Sequence, residues 1–255
     1  MKITFGIITL NEESNLQRCL ESIREVADEI LIVDSQSTDG TCEIASKFGV
    51  SWHVIPWEGY VRQKNHVLRL AAHPWVFSID ADEALSPELL QEIRLLKARN
   101  TESEDSEISG YSMPRCVLYE GRWIRHGDWY PDRLVRLFQK SRAAFAGGRI
   151  HERLEVQGPI QLLSGELEHH SFKDSEDHFA RCQKYARLWA EEKFEQGRKA
   201  GLAAPALHAV FRWIRGYLLR GGFLDGSQGL KIAAFCAYEV FLKYSLLRQM
   251  RRVAP

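Results

Sequence analysis

The 255-residue chain carries 34 Lys and Arg against 34 Asp and Glu, with 45% hydrophobic and 11% aromatic residues. That composition can bury a real core, fits one large domain or a domain with an appendage, and excludes disorder as the default. Zero formal charge gives no sign of a nucleic-acid partner, although from Pro205 onward only Asp225 and Glu239 face Arg212, Arg215, Arg220, Lys231, Lys243, Arg248, Arg251 and Arg252.

In chain order, short apolar runs alternate with helical patterns. Ile3–Thr9, Glu29–Val33 and Trp52–Ile55 read as strands, with Ser14–Glu25, Thr41–Phe48 and Val61–Ala71 as helices between and after them. The alternation predicts βα units on a mostly parallel sheet. Trp75–Ile79 is a buried strand that stops at acids, and Ser86-Pro87-Glu88 starts a helix with Ser86 as N-cap. The polar stretch Asn100–Ser109 reads as a surface loop. Between Gly110 and Phe172 the pattern turns β-like, with segments at Ser112–Tyr119, Arg133–Phe138 and Arg149–Val156. Helices return at Asp177–Gln196, Ala206–Leu219 and Gln228–Arg248. We expect a domain over 1–172 and a helical region over 173–255.

Three strand ends carry polar clusters. Thr9-Leu10-Asn11-Glu12 closes the first, Asp34 the second, and Asp80-Ala81-Asp82-Glu83 the strand WVFSID. Carboxylates there face the crevice in which open α/β sheets bind ligands. Two acids one residue apart can hold a hard divalent cation and leave its other positions to water and diphosphate. An isolated acidic turn would look the same, and Ser37, Thr38 and Asp39 serve equally well as helix caps. Asp34 is well placed to accept hydrogen bonds from a base or ribose.

Taken together, Asn11-Glu12, the Val33-Asp34-Ser35-Gln36-Ser37-Thr38-Asp39-Gly40-Thr41 turn and Asp80-Ala81-Asp82 resemble the family 2 glycosyltransferases. Ser35 stands where many members have a second acid. EGYVRQKNHVL, YPDRLVRLF, IHERLEV and GGFLDGSQG extend the resemblance toward the branch that includes lipopolysaccharide core glucosyltransferases. The resemblance implies an α/β fold of the GT-A type, a Rossmann-like mixed sheet that binds a nucleotide sugar. It implies inverting transfer of a sugar, glucose, from a UDP-sugar donor to a lipid-linked saccharide acceptor such as a lipopolysaccharide core. A divalent metal, Mg²⁺ or Mn²⁺, is the implied cofactor.

On that basis Thr9, Asn11, Glu12, Asp34, Lys64, Asn65 and Asp80 are expected at the donor, with Gln63 beside them. Asp80, Asp82 and His169 are expected at the metal, with His170 as the neighbouring alternative. Glu152, after Gly147-Gly148-Arg149-Ile150-His151, is the candidate base, and Asp132 is its rival or an acceptor contact. A structural Glu152 would instead pair with Arg149 or Arg153. Arg125, His126, Trp129 and Tyr130 suit sugar or anion binding, while core packing explains one aromatic there equally well.

The five cysteines lack a CxxC pair, which suits a reducing cytoplasm. The opening residues lack a signal-peptide pattern. Leu230–Leu247 carries Lys231, Glu239 and Lys243, so it reads as an amphipathic helix rather than a span. Phe211, Trp213, Ile214, Tyr217, Leu218 and Leu219, interleaved with Arg212, Arg215 and Arg220, suit the inner face of the cytoplasmic membrane; an ordinary packed helix with arginines in water is the alternative. Two other functions compete. A nucleotidyltransferase would need a glycine-rich basic loop after the first strand, which TLNEESNL lacks, and the acids Asp80, Asp82 and Glu152 argue against a non-catalytic glycan-binding protein.

Overall fold

A computed structural model describes residues 1–99, 107–147, 152–172 and 174–253. The chain forms two compact units: Met1–Arg115 with Asp132–His169, and Cys116–Pro131 with His170–Pro255. The sequence reading divides the chain once, near residue 172. The units divide it differently, because the segment 116–131 packs with the C-terminal helices. Residues 100–106 of the expected loop and Gly148–His151 of the expected motif lie outside the described residues.

In the first unit the strands β1 (Ile3–Thr9), β2 (Glu29–Asp34), β3 (Ser51–Val54) and β4 (Trp75–Ser78) alternate with helices α1 (Leu16–Ile23), α2 (Thr41–Ser46) and α3 (Tyr60–Leu70). All pairings among these strands are parallel, and Thr9 lies opposite Asp34. Because the strands run parallel, their carboxyl ends share one edge. Gly6 matters here, because a Cβ on it would meet Val67 Cγ1 at 2.1 Å, so its absence lets α3 lie down on β1.

After β5 (Glu83–Leu85) and α4 (Pro87–Ala98), the unit adds β6 (Gly110–Tyr119), β8 (Asp132–Gln139), β9 (Ala143–Gly147), β10 (Glu152–Val156), β11 (Ile160–Leu162) and β12 (Leu167–His169). Ser86 caps α4 as expected, accepting from the Leu89 amide at 3.2 Å with Pro87 in the first turn. The sheet order is β3-β2-β1-β4-β8-β6-β12-β5, with β11 also on β6 and a separate β9-β10 ribbon. The parallel half thus continues into an antiparallel half, giving the α/β mixed sheet that the GT-A type requires, with a C-terminal helical region. Phe5, Ile7, Leu20, Ile32, Phe77 and Leu137 are fully buried around it.

In the second unit the end of β6 pairs with β7 (Arg122–Ile124), and α5 (Ser175–Glu195), α6 (Ala204–Trp213) and α7 (Gly226–Val253) follow. Between α6 and α7 run a π-helical turn over Ile214–Leu219 and a short 3₁₀ turn over Gly222–Asp225. The arginines expected to face water or lipid also meet a protein carboxylate, and Arg215 and Arg220 stay partly exposed. Arg212, Arg215 and Arg220 stand 3.0, 3.2 and 3.1 Å from the buried Asp128 carboxylate. A buried acid demands such compensation. Gly216 permits the approach, since a Cβ there would lie 3.0 Å from Asp128 Oδ2. The second buried acid, Asp225, accepts from the His126 amide at 2.8 Å and pairs with His126 Nδ1 at 3.0 Å. The expected sugar-binding aromatics are partly core: Trp129 stacks on Phe172 at 4.9 Å and contacts Tyr119 and His178. Among the described residues no helix is long and apolar enough to cross a membrane.

His178 sits in that aromatic cluster, 3.1 Å from the Tyr119 hydroxyl. Burial, helped by the Arg181 charge, pushes its pKa down from 6.5 to about 4. The fold therefore holds the ring neutral while the unfolded chain takes up a proton. Its contribution to stability is present above pH 6.5 and is lost as pH falls toward about 4. Melting curves across that window should show a steeper fall for the native chain than for His178→Phe, which keeps an aromatic ring and cannot titrate.

Candidate functional site

The carboxyl ends of β1, β2 and β4 bring the three expected clusters together. Asp34 accepts from Thr9 Oγ1 at 2.8 Å, from the Ser37 amide at 2.8 Å and from Ser37 Oγ at 2.5 Å. Asn11 has a positive φ of 57° and binds the same turn, with its amide donating to Ser37 Oγ and its side-chain oxygen accepting from the Thr38 amide. Asparagine tolerates this left-handed backbone better than most residues. The Glu12 amide donates to Thr41 Oγ1 at 2.9 Å. Burial, and the nearby charges of Asp82, Asp39 and Asp80, push the Glu12 carboxyl above its usual range despite a hydrogen bond from Asn15. Asp39 accepts from the Glu13 and Thr41 amides, so it ties the two loops together rather than capping α2 by its N-cap position.

Ser35, in the place of a second acid, is buried and 2.9 Å from Gln63 Nε2, which also donates to the Ile55 and Pro56 carbonyls. Asn65, expected at the donor, follows Lys64 on α3. Its amide donates to the Phe145 carbonyl at 2.8 Å and accepts from the Phe145 amide at 3.1 Å, fastening α3 to β9. Lys64 is buried in the site. Its Nζ lies 3.1 Å from Asp80 Oδ1, 3.5 Å from Glu152 Oε1 and 5.7 Å from the Phe145 ring centre.

The antiparallel half delivers residues that the sequence reading did not single out. β8 runs beside β4, and Arg136, next to the paired Leu137, reaches Asp80 Oδ2 at 2.8 Å and Glu83 Oε1 at 2.6 Å. β6 pairs Arg115 with Asp132 in register, and Arg115 binds Asp132 Oδ2 at 2.7 Å and approaches Glu83 at 3.4 Å. Charges therefore alternate along Glu152, Lys64, Asp80, Arg136, Glu83, Arg115 and Asp132. Burial pushes Asp80 upward, but Arg136 and Lys64 outweigh it and hold its carboxyl well below the usual range. Glu83 goes the other way, since burial and the Asp80 charge exceed what Arg136 offsets. One signal for Arg136 existed in the sequence: a cation inside the apolar run Leu134–Phe138 needs a buried acid.

Asp80 and Asp82 diverge. Both Asp80 oxygens are engaged here, Oδ1 by Lys64 and Oδ2 by Arg136. Antiparallel pairing of β12 with β5 sets His169 opposite Glu83, and His169 Nε2 lies 3.2 Å from Asp82 Oδ2. His170 instead packs edge-on against Trp123 in the second unit. Among the described residues no group of three His, Cys, Asp or Glu side chains is placed to hold a metal. Glu152 has neither of the structural partners expected for it among the described residues, because Arg153 binds Glu155 at 2.6 Å and Arg149 lies outside them.

Replacing Arg136 with Leu leaves the buried Glu83 and half-buried Asp80 short of a counter-charge. Loss of one partner of a buried pair costs about 3–5 kcal/mol. Denaturant titration of Arg136→Leu should show a loss of that order, which shrinks as pH falls through the carboxylate range and Glu83 takes up a proton.

Comparison with known proteins identifies the relatives of this chain. The family model described as Glycosyl transferase family 2 matches residues 4–117. The chain is 30% identical over 258 residues to an uncharacterized glycosyltransferase of Rickettsia typhi, covering 98% of this chain and 87% of the relative. It is 28% identical over 254 residues to the lipopolysaccharide core biosynthesis glycosyltransferase LpsC of Rhizobium meliloti, covering 94% and 92% of the two chains. Among solved structures, S. aureus TarS 1-349 in complex with UDP-GlcNAc aligns over 99% of this chain and 92% of its own, with a TM-score of 0.49 and 15% identity. The strand-end clusters, the mixed sheet and a relative matched along almost the whole chain place this protein in glycosyl transferase family 2.

Proposed function

We propose that this glycosyltransferase moves glucose from a UDP-sugar, with inversion, onto a saccharide attached to lipid, of the lipopolysaccharide core class. The relative LpsC, matched over 94% of this chain, supports that acceptor class by its name. The observation that carries the reaction is the convergence of Asp34, Lys64, the Asp82–His169 pair and Glu152 in one unit.

Asp34, fixed by Thr9 and Ser37, would accept from the base of the nucleotide, with Asn11 and Glu12 shaping the loop beside it. Lys64 supplies positive charge for the diphosphate. The donor set of Asp82 and His169, one carboxylate oxygen and one imidazole nitrogen 3.2 Å apart, fits a divalent cation that takes its remaining ligands from phosphate and water. Such a cation would supply Lewis-acid stabilisation of the departing diphosphate. Glu152 takes the proton of the acceptor hydroxyl, whose oxygen forms the new bond to the anomeric carbon. The bond from that carbon to the diphosphate breaks on the opposite face, and UDP leaves with the electron pair. Asp132, held by Arg115, is the second acid that could face an acceptor. An acceptor attached to lipid would keep the enzyme at the inner face of the cytoplasmic membrane.

Glu152→Gln keeps the side chain's size and removes its ability to take a proton. Transfer measured with labelled UDP-glucose and lipopolysaccharide core acceptor should fall by roughly 10² to 10⁴, while nucleotide affinity persists. Full turnover by the folded variant would transfer the role to Asp132. For the cation, Asp82→Ala and His169→Ala should each abolish the stimulation of donor hydrolysis by added Mn²⁺ and leave the melting temperature close to that of the native chain. A Mn²⁺ response surviving in both variants would remove these residues from the metal site.

A further inference from the structure

The segment from Arg198 to Leu224 contains Arg198, Lys199, Arg212, Arg215 and Arg220 and no Asp or Glu. Within it, α6 and the π-helical turn present two unlike faces. One face turns Arg212 and Arg215 to the buried Asp128. The other carries Leu207, Val210, Phe211, Ile214 and Leu218 at the spacing of one helical stripe. All are exposed, from 37% at Ile214 to 67% at Leu207, and Leu219 beside them is 73% exposed. A helix packed in the ordinary way turns such a stripe inward. Here the charged side is the anchored one and the apolar side is uncovered.

The electrostatics say what could cover it. Asp128 offsets one charge of the three arginines around it, and Arg215 and Arg220 side chains remain 35% and 48% exposed. At the start of the segment, Arg198 and Lys199 precede exposed Leu202, whose carbonyl accepts from Arg248 Nη1 at 3.1 Å. In sequence the apolar stripe is therefore flanked by cations on both sides, Arg198 and Lys199 before it and Arg220 after it, with no acid in the segment. Contiguous exposed apolar surface of this kind marks an interaction site. An apolar stripe with a cationic border matches a bilayer whose hydrocarbon lies under anionic headgroups.

We propose that the outer face of α6 and the π-helical turn is a membrane-docking surface for anionic phospholipid, with Leu207, Phe211 and Leu218 entering the interface and the arginines held at headgroup level by Asp128. This deepens the reading of a lipid-linked acceptor, which it rests on for its purpose though not for its chemistry.

The test is flotation of the full chain with vesicles of phosphatidylethanolamine and phosphatidylglycerol, against vesicles of phosphatidylcholine alone. Binding should favour the phosphatidylglycerol vesicles. It should drop by about tenfold or more in Leu207→Ser/Phe211→Ser/Leu218→Ser, since each residue removed is an apolar contact with the interface. That variant should keep its melting temperature and its hydrolysis of UDP-glucose, because the residues are exposed and lie outside the transfer site. Arg212→Gln should instead lower the melting temperature, as Asp128 loses a partner. Unchanged vesicle binding by the triple variant, or none by the native chain, would overturn the proposal. So would a concentration-dependent dimer that the triple variant abolishes without any vesicle binding, which would show a second copy covering the stripe. Donor hydrolysis read in the same samples separates failure of docking from failure of the glycosyl-transfer reading.

Discussion

Glu83 has no exposed surface, and an ionised carboxylate in such a place costs several kcal/mol unless a cation and hydrogen bonds meet it. Arg136 supplies both, at 2.6 Å, and the same guanidinium reaches Asp80. One buried pair thereby fixes the turn Asp80-Ala81-Asp82-Glu83 from its far end. With Glu83 pinned and its amide bound to the Asp80 carbonyl, Asp80 points to Lys64 and Asp82 is left for His169. Without that anchor the two aspartates of the turn would have no reason to take separate partners.

The sheet divides the labour of building this site. Its parallel half contributes strand ends, where backbone and short polar side chains form a rigid cradle around Asp34. Its antiparallel half contributes cations and the histidine, through register: β8 sets Arg136 beside the end of β4, and β12 sets His169 opposite Glu83. The β9-β10 ribbon adds Glu152, and Asn65 fastens it to α3 through the Phe145 backbone. Lys64, one residue before Asn65, is thus held between two acids by the same fastening. Preorganised charge of this kind costs no reorganisation when charge moves during a reaction.

The helical unit uses the same device for another end. Asp128 is buried, and three arginines from one short stretch converge on it because a π-helical turn and Gly216 bring them within ion-pair distance. The carboxylate turns the charged side of α6 inward, and the apolar side is left outward by geometry rather than by composition. In both units, then, a buried acid decides which neighbouring side chains are free to meet something else.

The order of strands and helices in the first hundred residues, the N-cap at Ser86 and the three strand-end clusters were legible in the sequence, because each rests on local periodicity, capping or short-range spacing. Thr9, Asn11 and Asp34 belong to this class: parallel strands put their carboxyl ends on one edge whatever the rest of the chain does. The family was legible for the same reason. Tertiary structure alone decided the partners. Asp80 and Asp82 are two residues apart in sequence, yet strands β8 and β12 send one to Arg136 and the other to His169. Asn65 read as a donor contact, and its bonds to the Phe145 backbone, 80 residues away, came only with the fold. Arg212, Arg215 and Arg220 read as a charged surface, and only the fold showed that they share a single buried carboxylate. Spacing along a chain fixes what a residue is near in its own element, but the energy of a buried charge is settled by long-range partners, and those exist only once the fold has formed.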